Sequence, residues 1–315
     1  MTRVLLVNHG LSKACGIYAH GIRMRDTLCK STVNEIVYVE CNSISDLINH
    51  VSRLSPNVVI YNQSPAVMPW VSHIRESCPN VLHLGMTHDV TQDQMDLADP
   101  SPFNFRIALD PTLKENSKWF TSVRPLFGYT GKFSNVRNNK LILGSFGFYF
   151  RHKNFDRVIA LAHSLQKPVN LRLHITKAYF SSDDVKKEFD DFVLWADKVT
   201  QGSNVKLEIN QTYLSDTDLI DELSKNDLNI LLYNTNYGAG PSSAVDYCVA
   251  AGRPLLLSNS YQFRHVQARL PSIMDTDVDS AIKLGPSEIL KIRDEWSSEN
   301  FLKDYERIIH EVQNR

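Results

Sequence analysis

The feature that most constrains this chain is an alternation, sustained over almost all of its 315 residues, between short β-branched apolar runs and longer amphipathic stretches. A strand buried on both faces reads as a continuous apolar run, and a parallel neighbour can follow it only after a crossover long enough to hold a helix. The alternation therefore predicts βαβ units and parallel sheets. Strands are expected at 4–7, 36–39, 58–61, 81–84 and 107–109, with helices near 17–29, 43–53, 67–76 and 112–119.

The pattern lapses between 126 and 140, where Gly, Ser and Asn dominate, and a domain linker is expected there. A second series of strands follows at 141–144, 169–175, 205–209, 228–233 and 254–257. Between the first two, Phe155, Val158, Ile159 and Ala162 fall at i, i+3, i+4 and i+7, the face of a helix that can lie on a sheet. A polar helical segment, about 286–313, ends the chain. At about 150 residues per domain the length suits two domains, placed at 1–135 and 136–315.

Composition removes several classes. Hydrophobic residues at 43% and charged residues at 22% exclude wholesale disorder and collagen-like repeats. Lys plus Arg number 34 against 35 Asp plus Glu, a net charge of -1 that disfavours nucleic acid as a partner. No apolar run approaches the roughly 20 residues of a bilayer span, so at most peripheral membrane contact is expected, and from the character of residues 1–8 no secretory signal is expected. A cytoplasmic location follows as an expectation. The five cysteines, Cys15, Cys29, Cys41, Cys78 and Cys248, are widely spaced with no C-x-x-C pair, so neither a disulfide framework nor a metal site is expected. In a cytosolic chain Asn62-Gln63-Ser64 and Asn210-Gln211-Thr212 match the glycosylation pattern by coincidence.

Parallel sheets take ligands at the carboxyl ends of their strands, so the loops there are the places to search. After the first strand, Gly16 opens a helix where a backbone could approach a ligand closely; a plain strand-to-helix turn explains it equally well. Residues 237–254 follow a buried strand with Gly-Ala-Gly-Pro-Ser-Ser. Gly240, Ser242 and Ser243, with Asp246 in the first turn of the next helix, would leave unobstructed N–H groups and hydroxyls for a diphosphate. The spacing is not that of a P-loop. Ahead of another helix, Arg151, His152 and Lys153 cluster where the helix dipole disfavours cations, which asks for a bound anion; the alternative is a solvated basic turn. In Thr87-His88-Asp89, His88 is the best acid/base candidate.

These residues together resemble the GT-B fold glycosyltransferases of the large retaining group called family 4. Residues 144–159 resemble the family's glycine and lysine segment, with Lys153 at the lysine that holds the donor diphosphate. Residues 227–254 resemble its glycine-rich turn and closing helix, ending Ala250-Ala251-Gly252-Arg253-Pro254. The loop with Gly16, and Thr87-His88-Asp89, resemble the acceptor-domain glycine loop and histidine. The chain departs from the pattern where the family has two glutamates eight apart: Ala239 and Tyr247 stand there, with Asp246 beside the second. Asn154 stands where glycine is usual, and Ser145 where many members have arginine.

The resemblance implies an α/β protein of two Rossmann-like domains whose parallel sheets face a central cleft. The N-terminal domain would bind the acceptor and the C-terminal domain the donor, with the last helix packing back on the first. It implies retaining, metal-independent transfer of a sugar from a nucleotide-diphosphate sugar to a glycan or other hydroxyl acceptor, with no cofactor. His88 and Lys153 would be catalytic, and Gly16, Arg151, Lys153, Gly240, Ser242, Ser243 and Asp246 would hold the nucleotide sugar. A nucleotide-sugar epimerase and a non-catalytic nucleotide-sugar or carbohydrate-binding subunit stay open as alternatives.

Overall fold

The computed structural model describes every residue except 14, 130–139, 179–180, 238, 273 and 275. The expected linker therefore lies mostly outside the described residues. The chain divides into two compact units: residues 1–128, 238–241 and 295–315 form the first, and residues 129–237 and 242–294 the second.

In the first unit β1 (Thr2–Asn8), α1 (Gly16–Leu28), β2 (Asn34–Glu40), α2 (Ile44–Leu54) and β3 (Val58–Tyr61) follow the expected alternation. The stretch near 67–76 is a 3-10 turn, Pro69–His73, running into a short α3 (Ile74–Ser77). After β4 (Leu82–Thr87) comes α4 (Gln92–Asp96), which the periodicity does not announce, then β5 (Phe105–Ala108) and β6 (Trp119–Thr121). The helix expected at 112–119 is absent. Asp110 accepts from the Thr112 N–H and hydroxyl, and Asn116 accepts from the N–H groups of Lys118 and Trp119. Side chains that satisfy nearby backbone in this way displace the helical ladder.

The six strands are all parallel in the order β2-β1-β3-β4-β5-β6. Successive side chains alternate between faces. Val4 and Leu6 join one core with Met24, Leu28 and Ile60, while Leu5 and Val7 join the other with Leu47, Val59 and Tyr61. Both faces are covered, which is why the strands read as unbroken apolar runs.

The second unit holds β7 (Leu141–Phe148), α5 (Phe155–Ser164), β8 (Val169–Thr176), α6 (Asp183–Thr200), β9 (Val205–Asn210), α7 (Asp216–Ser224), β10 (Leu228–Leu231), α8 (Ala244–Ala251) and β11 (Leu255–Leu257). The short α9 (Arg264–Gln267), then α10 (Val278–Leu284) and α11 (Ser287–Glu295), complete it. Its five parallel strands run β11-β10-β7-β8-β9. Phe155, Val158, Ile159 and Ala162 are all buried in its core, as their spacing predicts.

The terminal segment expected as one helix is two. α11 ends at Glu295, and Ser297 caps a new start by accepting from the Asn300 N–H. The resulting α12 (Ser298–Asn314) belongs to the first unit, where Phe301, Tyr305, Ile308, Ile309 and Val312 fill the same core as Val4 and Leu6.

Candidate functional site

In each unit the strand order reverses beside the first strand, between β1 and β3 and between β7 and β10. Loops leaving such a junction diverge and open a crevice at the carboxyl ends, the usual ligand position in open α/β sheets. Each unit places candidate residues there.

In the first unit, β1 ends at Asn8 and β3 is followed by Asn62, both fully buried. The Asn62 amide nitrogen donates to Asn8 Oδ1 at 2.9 Å and to the Ile17 carbonyl at 2.6 Å. Asn8 donates in turn to the Tyr18 carbonyl at 3.1 Å. Two amides can lie this close to α1 only because Gly21 has no side chain; a Cβ there would collide with both. On its other side Asn62 Oδ1 faces two imidazoles, His20 Nδ1 at 3.1 Å and His88 Nε2 at 3.0 Å. The two rings meet edge to face, centroids 5.0 Å apart.

Burial, with the Arg124 and Arg23 guanidiniums nearby, pushes the His88 pKa down to about 3. Burial, His88 and the same two arginines hold His20 well below the usual imidazole range. Both rings are neutral near pH 7. Gly16 is the first residue of α1, and the space where its Cβ would stand is open. Gly240 lies in the short segment that groups with this unit; its N–H donates to Asp89 Oδ1 at 2.5 Å, and a Cβ would strike the His88 carbonyl.

In the second unit β7 runs into a 3-10 turn, Arg151–Lys153, and then α5. Asn154, at the junction, adopts the left-handed conformation with φ 50°. That explains why glycine suits the position and why Asn, the side chain best able to adopt it, can replace glycine. Its amide also donates to the Leu232 carbonyl at 2.7 Å and to Asn234 Oδ1 at 2.8 Å, fastening the turn to the end of β10. The backbone N–H of Asn234 donates back to the His152 carbonyl.

This fastening sets Lys153. Its ammonium occupies the space over Gly147, 2.5 Å from where a Cβ would be, and lies 5.4 Å from the centre of the Tyr233 ring. Gly147 has φ +130°, a conformation essentially reserved for glycine. Burial lowers the Lys153 pKa to about 8, so the amine is mostly charged at neutral pH. Arg151 does not join Lys153. It is largely exposed and makes a two-pronged pair with Glu188 on α6, both contacts 2.9 Å.

α8 starts at Ala244 after Ser243, whose side chain makes no capping hydrogen bond. Ser243 is exposed, and Ser242 is held by its N–H to the Gln262 carbonyl at 2.9 Å. Asp246 is fully buried, while Tyr247 donates to Asp216 at 2.7 Å. Among the described residues no group of three His, Cys, Asp or Glu side chains is placed to hold a metal ion. No described helix is long and apolar enough to cross a membrane.

His20 and Asn62 are the residues that sequence reasoning missed. Their signal was weak: Asn62 follows the third strand, and His20 lies one turn into the helix that Gly16 opens.

No model of a known protein family matches the sequence. No curated protein matches it either. Solved structures do. HepE of Anabaena, determined with UDP and glucose, is 12% identical with a TM-score of 0.64 over 100% of both chains. AviGT4, a glycosyltransferase involved in avilamycin A biosynthesis, is 13% identical with a TM-score of 0.63, over 99% of this chain and 97% of its own. An alpha-glucosyltransferase determined with UDP is 10% identical with a TM-score of 0.55, over 97% and 94%. At such identities the likeness is one of fold, and the fold is GT-B.

Proposed function

We propose that this protein is a glycosyltransferase of the retaining, family 4-like kind, which moves a sugar from a nucleotide-diphosphate sugar to a glycan or other hydroxyl acceptor without a metal ion. The observation that carries the reading is the seating of Lys153. A half-buried ammonium stands over a glycine that leaves it room, on a turn held by Asn154 at the strand-order reversal of the second unit. A cation held in low dielectric favours an anion that gains charge during reaction, as a diphosphate does when the glycosidic bond breaks. The N–H groups of Ala244, Val245 and Asp246 are already engaged by Ser242 and Ser243, contrary to the expectation of free backbone donors, so at α8 it is the exposed Ser243 hydroxyl that offers a donor to the same diphosphate.

In this reading the second unit holds the donor and the first receives the acceptor beside Gly16 and His88. Gly240 shapes the backbone next to His88. Asp246, being buried, acts by positioning α8, and Arg151 reaches a ligand only by leaving Glu188. HepE and the alpha-glucosyltransferase were each determined with UDP, which makes a uridine donor the first to try. A thermal-shift screen across nucleotide-diphosphate sugars tests the reading, because a ligand that binds only the folded state raises apparent stability by mass action. At least one nucleotide sugar should raise Tm, and its shift should shrink in Lys153→Ala. No shift with any member of the panel would overturn it.

A further inference from the structure

The amide of Asn62 cannot be turned round. The Ile17 carbonyl, 2.6 Å away, can only accept, so the atom facing it is the nitrogen. Asn8 is fixed in the same way by the Tyr18 carbonyl, which leaves its oxygen for the second Asn62 hydrogen. Asn62 Oδ1 is therefore the atom between the two histidines, and a carbonyl oxygen has lone pairs for two donors. His20 must carry its proton on Nδ1, and His88 must carry its proton on Nε2. Two charged rings at 5.0 Å would repel one another, and the cations around them, Arg23 and Arg124, oppose a second proton on either ring. The opposite nitrogens, His88 Nδ1 and His20 Nε2, are then bare lone pairs. His20 is 2% exposed, and its Nε2 has no hydrogen-bond partner among the described residues.

We infer that Asn62 is a positioning residue that fixes both tautomers, so that His88 presents a bare Nδ1 as an acceptor for ligand hydroxyls while the enclosed His20 ring holds Asn62 from the other side. The assignment of those hydroxyls to a sugar or acceptor rests on the glycosyltransferase reading; the tautomers do not. A hydroxyl is a donor that fits a bare imidazole nitrogen, whereas a phosphate or carboxylate oxygen would set lone pair against lone pair. His88 Nδ1 is then the atom available to orient a hydroxyl by accepting its hydrogen bond. His20 acts from within the core, its Nδ1–H fixing the Asn62 oxygen that His88 shares. Asn62, with no ligand contact required of it, sets which nitrogen each ring presents.

The test is a long-range proton–nitrogen correlation spectrum of the full chain labelled with ¹⁵N-histidine, with no ligand, at pH 7. The two rings are identified by the signals lost in His20→Gln and His88→Gln, or by sequential assignment should either variant fail to fold. The account expects His88 protonated on Nε2 and His20 on Nδ1, each as a single tautomer. In Asn62→Asp the carboxylate should raise the His88 protonation midpoint by at least one pH unit, because an opposite charge favours imidazolium. His88 protonated on Nδ1, an even mixture of tautomers, or an unmoved midpoint would overturn the inference. Turnover of a nucleotide sugar is read in parallel. The expected tautomers without turnover of any donor would retain Asn62's role and sink the glycosyltransferase reading. Turnover with the opposite tautomers would do the reverse.

Discussion

Lys153 has a pKa lowered by burial to about 8, and under the proposed function a diphosphate binds the charged form. Below pH 8 the ammonium is present and affinity is flat in this group; above it the free protein loses the charge, and affinity for UDP should weaken by about tenfold per pH unit. Calorimetric titration with UDP between pH 6.5 and 9.5 measures this. Lys153→Arg should bind less well but lose the slope, because a guanidinium stays charged and its planar fork cannot sit where the ammonium did. A wild-type affinity constant to pH 9.5 would remove Lys153 from the anion site. At this scale the sequence was only partly legible. Lys153 and His88 stood out because cations ahead of a helix and a histidine at a strand end are unusual in local terms. Asn62 did not, since its meaning depends on His20 and His88, 42 and 26 residues away in sequence. A residue whose partners are all distant has no spacing to read.

Among the elements, α12 and the turn before α5 carry the sharpest expectations. Tyr305 is fully buried and packs on Phe301, with ring centroids 4.6 Å apart, inside the core of the first unit. Tyr305→Ala should lower stability by about 3 to 5 kcal/mol, the usual range for an aromatic removed from a packed core. Urea unfolding measures it, and a loss below about 1 kcal/mol would mean that α12 is a loose appendage. Asn154→Ala removes two hydrogen bonds from a left-handed position. It should weaken nucleoside diphosphate binding more than it lowers Tm, because Lys153 is set by that turn. Asn154→Gly keeps the conformation and should recover part of the binding. Equal binding by all three proteins would show that the turn does not set Lys153. Long elements were legible from periodicity. The helix expected at 112–119 was not there because Asp110 and Asn116 satisfy the local backbone, a competition that apolar spacing does not register. The division between α11 and α12 turned on the Ser297 cap, whose signature is a single residue.

For the molecule as a whole, six histidines, His9, His20, His83, His88, His152 and His174, are held below the ordinary imidazole value, burial being the largest cause for each. The unfolded chain therefore binds protons near pH 6.5 that the native protein does not. Stability from this source is complete above about pH 6.5 and is lost as the pH falls from there toward the lower native values. Urea midpoints should be nearly equal at pH 7.0 and 7.5 and should fall clearly by pH 5.5, before most carboxylates titrate; a constant midpoint would mean that these rings are protonated in the native state. The parallel two-sheet architecture was legible because burial on both faces writes itself into every strand. The candidate site was less so, because strand order decides which loops meet, and no local pattern carries strand order. The central claim is donor turnover. It is tested most directly by release of nucleoside diphosphate from nucleotide sugars, UDP-glucose first, with wild type, Lys153→Ala and His88→Ala side by side. The account predicts release by wild type, a loss of roughly thirtyfold to several hundredfold in Lys153→Ala, and a loss of about tenfold or more in His88→Ala with folding intact. No release from any nucleotide sugar, or release that both variants leave unchanged, would contradict it.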